Sequence, residues 1–204
     1  MKIKQALQKA FNASPSGNAS KTALLVIDVQ EGYCAPKYRK HVEQDAVARR
    51  IASIAPAFRK AGIPIYAVYY DEHYLGGFHR FKPANDDIVV PKNKDSAFEG
   101  SNMEELLKKN GHKNLLICGV YESLCVKKTA EDALKRGFKV TVLKDLTADW
   151  EAGERDGYYE HPAPPAGETF AELRKAGASI ETSSTVLQKL TKNAPKPAAS
   201  PKIS

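Results

Sequence analysis

An α/β fold of the Rossmann-like, doubly wound kind is predicted for this chain, with about six strands in a mostly parallel sheet and helices on both faces. Three observations carry that prediction. One unit recurs along the chain, a helical pattern closed by a glycine and followed by an apolar strand. The strands are near-continuous apolar runs, as in sheets covered on both sides. The 204 residues fit one domain with enough bulk to bury a proper core.

Taken in order, Leu24-Leu-Val-Ile-Asp28 is an apolar strand delivering a carboxylate at its C-terminal end. Val47, Ile51, Ile54 and Phe58 then recur at helical spacing, and Pro56 inside that run predicts a kink. Phe58-Arg-Lys-Ala-Gly62 leads into the strand Ile63–Tyr70, and a short strand, Val89–Lys92, ends in an amine. Leu107-Lys-Lys-Asn-Gly111 leads to Asn114–Val120, after which Val126, Ala130, Ala133 and Leu134 mark the next helix. Leu134-Lys-Arg-Gly137 precedes Phe138–Leu143, and Leu173-Arg-Lys-Ala-Gly177 precedes Ala178–Thr182. Each glycine suits the left-handed residue just past a helix end, and the cation before it complements the helix C-terminus. Residues 148–167, with Trp150, three prolines and many charges, read as a long loop or lid.

Charge divides the chain into a basic N-terminal extension at 1–21, a domain at 22–190 and a C-terminal tail at 191–204 expected to be disordered. Eight lysines in the acid-free ends (Lys2, Lys4, Lys9, Lys21, Lys189, Lys192, Lys196 and Lys202) exceed the whole net charge of +7. The body is therefore slightly acidic, which argues against a nucleic-acid-binding face. Residues 1–21 share the acid-free, Ser-containing composition of organellar presequences but lack Arg, so a surface helix and linker is the plainer reading. No apolar stretch approaches the ~20 residues that span a bilayer. Three cysteines, Cys34, Cys118 and Cys125, are odd in number and lack metal-type spacing. That pattern favours a reducing compartment, hence the cytoplasm, over a disulfide framework.

Open parallel sheets bind ligands at the carboxyl ends of their strands. Asp28, Tyr70, Lys92, Cys125 and Asp145 all fall at predicted ends, which gathers them along one rim. Singly, each has a plain structural reading: a turn former, an exposed lysine like Lys94, or a buried thiol such as Cys118 in mid-strand. Jointly, acid, amine and thiol make a catalytic hypothesis. Cys125 begins a helix, whose N-terminus is expected to pull the thiol below its ordinary pKa of ~8.5.

Thr22-Ala-Leu-Leu-Val-Ile-Asp-Val-Gln30, Lys92-Asn-Lys-Asp-Ser-Ala-Phe98 and Gly119-Val-Tyr-Glu-Ser-Leu-Cys-Val126, with Thr129-Ala130 and Asp132-Ala133, together resemble the isochorismatase-like cysteine hydrolase superfamily, over about Thr22 to Leu190. The resemblance implies an Asp–Lys–Cys triad at Asp28, Lys92 and Cys125, with Lys92 chosen over Lys94 because it stands four residues before Ser96. It also implies an oxyanion hole from the backbone N–H groups of Tyr121 and Cys125, a non-prolyl cis peptide at Val120–Tyr121, and a homo-oligomer, a dimer or larger. Isochorismatases proper lack the nucleophilic cysteine, so Cys125 favours hydrolysis of a C–N bond in a small-molecule amide, with water as co-substrate. Tyr33, Tyr70, Tyr121 and Glu122 are the candidate substrate-binding residues.

Nicotinamidases, a metal-containing branch, use an Asp-x-His motif. Asp71-Glu-His73 with His79 offers a partial match, but the rest of that branch's pattern is missing, so neither metal nor other cofactor is expected. A catalytically idle member serving as a binding or scaffold subunit is the rival from another class.

Overall fold

The computed structural model of the protein describes residues 21–36, 42–150, 165 and 167–192. Most of the basic N-terminal extension, nearly all of the C-terminal tail and most of the 148–167 segment lie outside those residues. The six strands are β1 (Thr22–Ile27), β2 (Ile65–Tyr70), β3 (Ile88–Lys92), β4 (Asn114–Val120), β5 (Lys139–Ala148) and β6 (Ser179–Glu181). They form one all-parallel sheet in the order β3-β2-β1-β4-β5-β6. The chain thus steps outward from β1 to β3, returns beside β1 as β4, and continues to the opposite edge. The reversal falls between β1 and β4, the crevice where doubly wound sheets bind ligands.

Helices α1 (Glu31–Cys34), α2 (Val42–Lys60), α3 (Met103–Lys109), α4 (Lys127–Lys135), α5 (Glu168–Ala176) and α6 (Ser183–Lys192) connect these strands. Alternation along each strand sends side chains to two cores. Leu25, Ile27, Val68 and Ile117 join Leu107, Ala130 and Leu173 of α3, α4 and α5 on one face. Leu24, Val26, Ala67 and Cys118 join Val47, Ile51 and Phe58 of α2 and Val186 of α6 on the other. Both faces of the central strands are covered, which is why their sequences are unbroken apolar runs.

Helix α2 continues through Pro56, which sits on its exposed face, so water can satisfy the carbonyl that loses a partner. One expectation is corrected. Strand β5 extends five residues past the predicted Leu143, and its register against β4 shifts between the pairs Ile117–Val142 and Gly119–Thr147. Asp145 lies inside that irregular stretch, not at a strand end. Its carboxylate accepts Ser183 N–H (2.8 Å) and the Ser183 hydroxyl (2.6 Å), capping α6.

Gly119 of β4 is paired with Ile27 of β1. A Cβ built there would stand 2.1 Å from the Ile27 carbonyl oxygen, and the residue has φ +120°. Gly119→Ala is therefore expected to destabilise the fold by at least ~2 kcal/mol in urea unfolding, summing steric overlap and backbone strain. Gly137→Ala is the control. Its φ is +81° but nothing lies within 4 Å of the added carbon, so only the strain of ~1 kcal/mol remains. Equal losses at the two positions would show that interstrand contact is not the constraint.

Candidate active site

Asp28 follows β1 directly with φ 53°, a left-handed conformation that aspartate tolerates better than most residues. Its N–H donates to Val68 O (3.0 Å), and its carbonyl accepts Gln30 N–H (2.8 Å). Gln30 then locks this bend against β2. Its Nε2 donates to Tyr70 O (3.1 Å) and Gly76 O (3.3 Å), while its Oε1 accepts Tyr70 N–H (2.7 Å). Lys92 ends β3, paired with Tyr70 at the end of β2. Cys125 lies in a π-turn, Glu122–Val126, that joins β4 to α4 and is closed by Val126 N–H donating to Tyr121 O (3.0 Å). Ala97 N–H donates to Thr129 Oγ1 (3.0 Å), fastening the loop after Lys92 to α4 four residues beyond Cys125.

These elements bring Asp28, Lys92 and Cys125 together in an almost water-free site, 0%, 1% and 5% exposed. Lys92 Nζ lies 2.7 Å from Asp28 Oδ2 and donates to Cys125 Sγ at 3.5 Å and Lys94 O at 2.9 Å. Lys92 and Asp28 thus form a buried ion pair. The Tyr70 ring stacks under the ammonium at 4.5 Å. Lys94, two residues on, is exposed.

Burial raises the Asp28 pKa, and Lys92 opposes the shift. Burial alone would push Lys92 down, but Asp28 and Cys125 hold it up, so it stays cationic. The Cys125 thiol is pushed well above its ordinary value, first by burial and then by the Asp28 carboxylate, with Lys92 pulling the other way. The expected lowering by a helix N-terminus is thus reversed, because desolvation outweighs it. Burial raises Cys34 and Cys118 as well, so low acidity alone does not distinguish the three thiols.

The peptide Val120–Tyr121 is cis. Tyr121 packs edge-on to Tyr33 (5.4 Å between centroids) and against Trp150 (4.7 Å). Trp150 therefore belongs to an aromatic cluster with Tyr121, not to a detached loop. Tyr70 donates its hydroxyl to Asn93 O (3.1 Å). Glu122, half-buried, accepts the Thr147 hydroxyl (2.9 Å); burial lifts its carboxyl to about 7, opposed by that hydrogen bond and aided by Asp149. Asp145 is withdrawn from the rim by its bonds to Ser183.

The residues suggested by the Asp-x-His match are not assembled. His79 Nε2 stands 2.6 Å from Asp45 Oδ1 on α2, in a cluster with Arg49 and Arg80 that holds Asp45 well below the usual carboxylate range. Asp71 and His73 are exposed. Among the described residues no group of three or more His, Cys, Asp or Glu side chains is arranged to hold a metal ion.

Gln30 and Thr129 have positioning roles that residue type alone does not announce. The one available signal was their place in the first and third motifs, two residues after Asp28 and four after Cys125.

Comparison with known proteins identifies the family. Residues 22–171 match the Isochorismatase domain. The uncharacterized isochorismatase family protein YecD of Escherichia coli O157:H7 is 27% identical over 170 residues, 72% of this chain and 90% of YecD. An N-carbamoylsarcosine amidase of Arthrobacter is 32% identical over 87 residues, 43% of this chain but only 33% of that enzyme. A cysteine hydrolase from Pseudomonas syringae pv. phaseolicola superposes with a TM-score of 0.71 at 18% identity, covering 86% of this chain and 95% of the other. With the domain match spanning the whole sheet except its last strand, this chain belongs to the isochorismatase family of hydrolases.

Proposed function

We propose that the protein is a cysteine hydrolase that cleaves the C–N bond of a small amide through an acyl-enzyme on Cys125. The observation that carries this reading is one buried ammonium, Lys92 Nζ, within 2.7 Å of a carboxylate and 3.5 Å of a thiol at the sheet's reversal point. The partial likeness to an amidase supports the choice of bond.

The chemistry follows from the charges. Asp28, its basicity raised by burial, takes the Cys125 proton as sulfur attacks the carbonyl carbon, so a thiol with a high resting pKa ionises only as it reacts. Lys92 keeps the site electrically balanced as negative charge moves from carboxylate to sulfur. The N–H groups of Tyr121 and Cys125 hold the tetrahedral oxyanion. Protonated Asp28 then gives its proton to the leaving nitrogen, the C–N bond breaks, and ammonia or an amine departs. Asp28 next deprotonates a water, which attacks the thioester, releases the acid and restores the thiol. Tyr33, Tyr70, Tyr121 and Glu122 form the pocket walls in this reading, and the thiol's chemistry calls for a reducing compartment.

Ammonia release from a panel of small amides, N-carbamoylsarcosine among them, tests the activity. Cys125→Ala is expected to reduce turnover to background, and Asp28→Asn to lower it by at least ~10²-fold. Lys92→Met should abolish turnover while Lys94→Met retains it. Because the ion pair is buried, each single change at Asp28 or Lys92 also lowers the melting temperature, so rates are compared on folded protein. Full hydrolysis by Cys125→Ala would refute the nucleophilic mechanism.

The thiol's titration supplies a second test. The pH at which iodoacetamide alkylation of Cys125 reaches half its maximal rate should lie above the ~8.5 of an ordinary cysteine. Removing the neighbouring negative charge in Asp28→Asn should lower that midpoint, and removing the positive charge in Lys92→Met should raise it. Shifts of opposite sign would mean that another group controls the sulfur.

With His79 engaged by Asp45, activity is expected to survive exhaustive dialysis against a strong chelator. Loss of activity that zinc, manganese or iron restores would return Asp71, His73 and His79 to consideration as ligands.

A further inference from the structure

Asp149, the first residue after β5, takes no part in the chemistry above, yet it binds the segment that carries the sulfur. Its Oδ2 accepts Ser123 N–H at 2.9 Å and its Oδ1 accepts Trp150 N–H at 3.1 Å. Its carbonyl accepts the side-chain amide of Gln44, a fully buried residue of α2. Ser123 is the second residue of the π-turn and stands two before Cys125. The residue that opens the turn, Tyr121, gives no side-chain cap. Helical segments need such a cap because their first N–H groups have no partner within the segment. The neighbouring Glu122 carboxylate accepts the Thr147 hydroxyl, while the Ser123 amide goes to Asp149.

We propose that Asp149 is a positioning residue, a cap supplied from β5 that holds the Cys125-bearing turn in place, with Gln44 anchoring Asp149 to α2. The turn is thereby tied to the half of the sheet opposite Lys92, in addition to the Ala97–Thr129 bond that joins the Lys92 loop to α4. This inference rests on the proposed role of Cys125 for its meaning in catalysis, but the clasp itself is measurable without turnover.

Hydrogen exchange of the peptide spanning 119–126, read by mass spectrometry on the full chain, tests it together with the iodoacetamide alkylation rate of Cys125 at pH 8. In Asp149→Ala the turn should exchange about 5- to 10-fold faster, the size expected for a lost cap. Alkylation of the now less enclosed sulfur should quicken by a similar factor, with exchange elsewhere unchanged. Asp149→Asn keeps an acceptor oxygen and should stay near the parent in both readouts. If the alanine variant does not fold, Gln44→Leu serves instead; it removes the amide that bonds the Asp149 carbonyl and should still speed exchange in the turn. Parent-like exchange in Asp149→Ala, or in Gln44→Leu where that variant stands in, would overturn the proposal, as would an Asp149→Asn variant as loose as alanine. Retained hydrolysis by Cys125→Ala would instead remove the nucleophile while leaving the exchange result intact.

Discussion

A buried ion pair, Asp28–Lys92, is the constraint around which this molecule is arranged. Moving two charges into a site 0% and 1% exposed costs several kcal/mol per ion, and only close, fixed geometry offsets it. The fold supplies that fixity through main chain: Asp28 N–H is bonded to β2, Gln30 stitches the bend to Tyr70 and Gly76, and Lys92 is in register with Tyr70. The ammonium is also held by the Lys94 carbonyl and the Tyr70 ring, so its position does not depend on the thiol. In the mechanism proposed above, the same dryness that makes the pair expensive raises the basicity of Asp28 and keeps Cys125 neutral at rest.

Sheet topology decides which residues can meet. Asp28 leaves β1, and Cys125 follows β4, the strand on β1's other side; Lys92 reaches in from β3 across the end of β2. No stretch of local sequence holds all three. These three residues are separated by 64 and 33 positions, yet the order β3-β2-β1-β4 makes them neighbours. The loop after Lys92 is then fastened to α4 through Thr129, which couples the amine-bearing and thiol-bearing segments directly.

Much of this was legible in the sequence, because the repeated helix, glycine and strand unit is a local pattern and strand ends follow from it. Six strands and their parallel arrangement could be read that way, and so could the gathering of Asp28, Lys92 and Cys125 on one rim. What could not be read depends on contacts distant in sequence. The register shift that draws Asp145 to Ser183 arises from pairing with β4, not from the composition of β5. The partner of His79, Asp45, stands 34 residues earlier, and nothing local in the sequence announces it. A helix N-terminus is visible in sequence and the depth of burial is not, so the sequence points to a lowered thiol pKa where burial raises it.

The contact between Ile27 and Gly119 has a consequence for how such a protein can change. Because bare main chain meets main chain there, the separation of β1 from β4 contains no side chain whose size could be altered. Repacking either core can shift helices, but it cannot widen or narrow the gap that sets acid against sulfur. Tyr33 and Glu122, by contrast, are half-buried residues on the segments that follow β1 and β4, outside the strands themselves. If the proposed amide hydrolysis holds, redesign toward a different substrate has a fixed reference frame in the two strands and a separate wall in the segments that follow them.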